Sequence, residues 1–188
     1  MTIFIIDFET TGLNPYHNKL IEVAIKVHSE SESEKQYTSL INIRENLTEK
    51  ITEITNITNE MLSSAPSTRS VYKEFVEFIN NNLDDSDNYM IAHNGLTFDF
   101  IFLKRIYKTL DIDIPSFKYV DTLLMSRYLH PRLNSHKMST LCHKNIYNVQ
   151  NDSEHRAMSD VRTLEKIYDK MITKSKLNIH DIYEIIHL

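Results

Sequence analysis

What this sequence withholds narrows it first. It has one cysteine, Cys142, in 188 residues. That excludes an internal disulfide and a cysteine zinc cluster, and it suits a reducing compartment. No apolar run approaches the roughly 20 residues of a membrane helix. The start, MTIFIID, lacks the charged head, apolar stretch and small-residue cleavage site of a secretory signal. A cytoplasmic protein that does not engage a membrane is expected. Only two glycines occur, Gly12 and Gly95, each just past an expected strand end. Glycine used so sparingly marks places where the backbone leaves no choice. Acids are missing from residues 122–151, which hold Arg127, Arg132, Lys137 and Lys144. That window is +4 in a chain of net charge −5, leaving −9 elsewhere. Such a lobe can track a phosphate backbone, or it can be the solvated face of two helices.

Hydrophobic content of 41% and charged content of 25% suit a globular chain, and the length suits one domain. Three strands are expected first, at 2–7, 20–28 and 36–44. The polar stretch HSESESEK would form a hairpin tip between the second and third, giving an antiparallel meander. The pattern then changes to helices at 59–63, 70–82, 98–109, 138–147, 157–174 and 179–187, with short strands at 89–92 and 117–120. Asp121 stands where a helix N-cap belongs, before TLLMSRYL. Strands followed by alternating helix and strand predict one mixed α/β domain.

Three stretches carry chemistry. In FIIDFETTGL, Asp7 and Glu9 follow an apolar run. Two apart on a strand, they share a face with Cα atoms about 6.5–7 Å apart. Two buried, unpaired carboxylates would cost several kcal/mol or protonate. A divalent cation removes the conflict; alternatively the strand ends early and Asp7 caps a turn. In AHNGLTFDF, Asp99 opens a helix just past a strand end, where a dipole favours an anion and where sites form in α/β sheets. In HRAMSDVRTL, His155 precedes a helix carrying Asp160 in its first turns, and a histidine beside carboxylates can act as a general base.

In order and residue type, these stretches resemble the three motifs of the DnaQ-like 3′–5′ exonucleases of the DEDDh type. That group includes the proofreading subunits and domains of bacterial replicative polymerases. The histidine stands five residues before Asp160. The related tyrosine type has Tyr four residues before, where this chain has Arg156. KITEITNITNEMLSSAP and KYVDTLLMSRYL also resemble the family, so the likeness covers about residues 3–170. Asn56 departs from a frequent glycine, although Asn tolerates left-handed backbone. The chain stops at residue 188, which suggests a free-standing nuclease or small subunit rather than a polymerase-embedded domain.

The resemblance implies an RNase H-like exonuclease fold, with a mixed five-stranded sheet of antiparallel meander plus parallel strands flanked by helices. It implies one exonuclease domain over 1–188, with a motif-bearing core at about 3–174. Asp7, Glu9, Asp99 and Asp160 would hold two Mg²⁺, with Mn²⁺ as a substitute, and His155 would be the general base. Thr10, Leu13, Asn94 and Phe98 would contact the terminal nucleotide. The partner would be nucleic acid with a free 3′ end, DNA ahead of RNA, and a polymerase is a further partner class. The rivals are an exoribonuclease, a non-cutting nucleic-acid binder and a small-molecule phosphoesterase. Arg132 and Lys137 would meet phosphates upstream of the cut.

Overall fold

The computed structural model describes residues 1–28, 35–150 and 156–186. The sheet is built on β1 (Thr2–Thr10), which pairs antiparallel with β2 (Leu20–Val27) and parallel with β4 (Asn88–Ala92). β3 (Gln36–Leu40) extends the antiparallel side and β5 (Lys118–Asp121) the parallel side, in the order β3-β2-β1-β4-β5. This is the mixed five-stranded sheet expected. Much of the tip between β2 and β3, and His155 itself, lie outside the described residues.

Alternation along β1 assigns its faces. Phe4, Ile6 and Phe8 enter one core with residues of α3 (Thr68–Asn80) and α4 (Asp99–Leu110). Ile3 and Ile5 enter a second core, beneath α7 (Ala157–Ser175) and α8 (Ile179–Ile186). Asp7 and Glu9 continue the row of Ile3 and Ile5, so they lie on the α7 side. β1, β4 and β5 run parallel, which brings their C-terminal ends to one edge of the sheet.

Boundaries moved where local chemistry competed with periodicity. β1 runs on to Thr10, so Asp7 sits within the strand rather than capping a turn. β3 stops at Leu40, leaving Asn42 as an isolated bridge to Ser67. The helix expected over 138–147 is only α6 (Met138–Leu141). Beyond it, His143 accepts the N–H groups of Ile146 and Asn148 on its carbonyl, and Asn148 takes a left-handed conformation. Those turn bonds replace the helical ladder.

Two helices follow β3. α1 (Glu49–Thr55), not anticipated, starts at Thr48, whose hydroxyl accepts the Ile51 N–H, and ends at left-handed Asn56. α2 (Asn59–Ser63) is capped by Thr58. α5 (Thr122–Leu129) starts at Asp121, as its sequence predicts. Among the described residues, no helix is long and apolar enough to cross a membrane.

Candidate active site

The acids gather where β1 ends. Ligand atoms of Asp7, Glu9 and Asp160 lie within 4.8 Å of one another. The first two come from alternate positions on one strand, the third from the first turn of α7. Asp99 reaches the same end from α4, in the opposite layer. It is buried, and its Oδ1 has no hydrogen-bond partner.

Asp7, Glu9 and Asp99 are held above their ordinary titration range. Burial, then the charges of Asp99, Asp160, Glu9 and Glu22, raise Asp7 well above it. Burial, then Asp160, Glu22 and Asp99, push Glu9 up to about 8, partly offset by Arg156. Burial pushes Asp99 up to about 8, with Asp121 adding to the rise. Like charges forced together and an orphaned buried oxygen fit a divalent cation, which takes hard oxygen ligands and reverses this penalty.

Supporting contacts set the positions of these acids. Glu22 on β2 stands opposite Glu9 in the sheet register and is 2% exposed. Its carboxylate accepts Arg156 Nε at 3.1 Å from each oxygen and Arg156 Nη2 at 2.6 Å. It also accepts the backbone N–H of Ala157 at 3.0 Å. α7 has no side-chain cap of its own, so Glu22 caps it from across the sheet. This pins the helix carrying Asp160 to the strand opposite Glu9. Neither Glu22 nor Arg156 stood out as functional in the sequence. The available signal was a charge inside the otherwise apolar stretch LIEVAI.

Asp121 does more than cap α5. Its Oδ1 accepts the N–H groups of Leu123 at 2.9 Å and Asn94 at 3.0 Å, and its Oδ2 accepts that of Leu96 at 3.1 Å. The loop between β4 and α4 is thereby fixed next to β5. Within that loop, a Cβ on Gly95 would lie 2.7 Å from the Ala92 Cβ and from the Phe100 ring. Gly95→Ala is therefore expected to cost about 1–3 kcal/mol by overpacking, read as a lowered midpoint in urea denaturation. An unchanged midpoint would show that this approach is not tight.

The candidate nucleotide contacts divide between two places. Leu13 and Phe98 line a cavity of about 690 Å³ beside Glu9, with Lys50, Ile51 and Ile54 of α1 opposite. Thr10 also lines it, but its hydroxyl is engaged in the turn, donating to the Gly12 carbonyl at 2.7 Å. Leu13 is 88% exposed at the rim. Arg105 steadies that rim by donating to the carbonyls of Pro15 and Asn18. Asn94 instead lines a separate cavity with Arg127, His136 and Lys137. Arg132 lies on neither cavity.

A family model described as an exonuclease, RNase_T, matches residues 4–168. The PolC-type DNA polymerase III of Halalkalibacterium halodurans is 32% identical over 94% of this chain and 12% of its own length. That of Mycoplasma genitalium is 36% identical over 89% of this chain and 11% of its own length. The chain thus spans only about an eighth of these relatives. Among solved structures, exonuclease X in complex with 5′ overhanging duplex DNA aligns with a TM-score of 0.70 at 19% identity. That alignment covers 98% of this chain and 99% of exonuclease X. The zinc-bound form of the Escherichia coli exonuclease I–ssDNA complex aligns with a TM-score of 0.74 at 16% identity, covering 93% of this chain and 41% of that one. At such identities the structures establish the fold, which is RNase H-like.

Proposed function

The chain belongs to the RNase_T exonuclease family, and from that membership we propose that it is a metal-dependent 3′–5′ exonuclease. It would release nucleoside 5′-monophosphates from single-stranded, frayed or mismatched 3′ ends of DNA. One observation carries the reading: Asp7, Glu9 and Asp160 converge within 4.8 Å at the strand end that also receives the unpartnered oxygen of Asp99.

Asp7, Glu9, Asp99 and Asp160 would hold two Mg²⁺ ions, which supply a lowered water pKa and charge stabilisation at the attacking and leaving oxygens. His155, at a motif position outside the described residues, would take the proton from the attacking water. Phe98 and Leu13 offer apolar surface to the terminal base and sugar in the cavity beside Glu9. Glu22 and Arg156 hold Asp160 in register with Glu9. Residues 1–188 would form a single exonuclease domain.

The deciding assay is digestion of end-labelled single-stranded, paired and mispaired DNA, with matched RNA, in Mg²⁺. Mononucleotides should accumulate from the 3′ end, fastest from single-stranded or mispaired DNA. Faster digestion of RNA would reassign the substrate. Single-strand binding without cleavage in either Mg²⁺ or Mn²⁺ would sink the enzyme reading.

A further inference from the structure

We propose that the cavity beside the β4–α4 loop binds the sugar-phosphate backbone of the substrate strand upstream of the cut. The occupant's identity rests on the nuclease reading above. The site itself rests on the cavity's shape, charge and place.

Its volume is about 540 Å³, within the range that takes a nucleotide-sized ligand. Arg127, in the last turn of α5, and Lys137, at the start of α6, both line it, and both are exposed. Neither forms an ion pair among the described residues, and no carboxylate lines the cavity. Asp121 lies nearby but is buried, with both its oxygens occupied by backbone N–H groups. Net positive charge therefore faces the solvent here on an otherwise acidic protein.

The walls are fixed in advance. His136 Nδ1 lies 2.8 Å from Ser126 Oγ, tying the loop before α6 to α5. His93 Nδ1 lies 2.9 Å from Thr122 Oγ1, tying the β4–α4 loop to the same helix. A preformed wall lowers the ordering cost of binding. The parallel strands supply the direction. The carboxylates lie at the end of β1, and this cavity lies over the ends of β4 and β5, on the same edge of the sheet. A strand whose last nucleotide fills the Phe98 cavity would cross the carboxylates and continue over α5. Arg132, on a different cavity, is not part of this path, whereas Arg127 is.

The test measures binding rather than cleavage. Anisotropy of a labelled thymidine dinucleotide and of a longer oligothymidylate, both in Ca²⁺, would be compared for wild type and Arg127→Gln/Lys137→Gln. Both side chains are exposed, so the variant should fold. Kd for the long strand should rise about tenfold at moderate salt, and the slope of log Kd against log salt should fall by about 1.4 for two lost phosphate contacts. Dinucleotide binding should not change. Lys73→Gln/Lys108→Gln removes the same charge from exposed positions on α3 and α4, and should leave the long-strand Kd unaltered. Equal weakening in both double variants would reduce the effect to net charge and overturn the site. So would an unchanged Kd in the first variant, or no strand binding by wild type. Weakening confined to the cavity variant, in a protein that cuts nothing in Mg²⁺, would keep the site and remove the exonuclease reading.

Discussion

Asp7→Asn is expected to abolish cleavage and, in the same protein without metal, to raise the melting temperature. The two effects share one origin. Asp7 lies among Asp99, Asp160, Glu9 and Glu22, each of which raises its pKa on top of burial. Raised carboxyl pKa values mean that folding favours the protonated forms. In the metal-free protein the contribution of these acids to stability is therefore fully present below the ordinary carboxyl range near pH 4, and is lost as pH rises toward the value of about 8 reached by Glu9 and Asp99. Removing one charge from the cluster relieves the repulsion above pH 4. A gain of about 1–2 kcal/mol corresponds to roughly 2–8 °C for a chain of this size. The variant also loses a carboxylate oxygen from the proposed metal site, and kcat should fall at least about a thousandfold. Wild type should gain stability from Mg²⁺ increasingly as pH rises from 5 to 8, and the variant much less. Thermal melts with EDTA or Mg²⁺, run beside the nuclease assay, check both halves. An active variant, or one destabilised without metal, would contradict the electrostatic account.

Glu22→Ala should produce the largest loss of stability outside the apolar cores. It removes the acceptor for three Arg156 contacts and for the first N–H of α7. Glu22 is buried but the Arg156 side chain is 34% exposed, so the cost is the lost charged acceptor and the unsatisfied Ala157 N–H, about 2–4 kcal/mol, or a fall on the order of ten degrees in Tm. Where the protein remains folded, kcat should drop with little change in KM, because Asp160 shifts while the cavity beside Glu9, proposed to take the terminal nucleotide, keeps its walls. Glu22→Gln retains an acceptor for the Ala157 N–H and should recover part of the stability. Calorimetry and steady-state kinetics on both variants separate this outcome from simple misfolding. Wild-type stability in the alanine variant would show that α7 is held by its apolar face alone.

These two residues show what the sequence could and could not disclose. Asp7 and Asp99 were legible because each follows or interrupts an apolar run near a strand end, Glu9 because it shares a strand face with Asp7, and Asp160 only through its helix-start position and the motif resemblance. The meander and the α5 cap were legible because alternation and an N-cap aspartate are local signals. Glu22 was not, since its meaning depends on standing opposite Glu9 in a strand register and on a partner 134 residues away. α1 escaped because it has only seven residues, of which only Thr55 is buried, leaving no apolar stripe to detect. α6 was overextended because the turn bonds to His143 leave no trace in hydrophobic spacing. Asn94 and Phe98, close in sequence, were expected at one nucleotide and line two different cavities. The left-handed turn at Asn94 and the start of α4 at Asp99 send the chain in different directions there.

The acids come from both sides of the sheet and from elements far apart in sequence, and this bears on how the site is assembled. A ribosome delivers β1 before α4, and α4 before α7. Until α7 emerges, the polypeptide would hold Asp7, Glu9 and Asp99 without Asp160, and without the contact from Glu22 that fastens α7. Under the proposed chemistry, a half-made chain surrounded by messenger and ribosomal RNA would be inert. Cutting would be withheld until the last long helix docks, a safeguard that needs no inhibitor because it is written into the order of the elements.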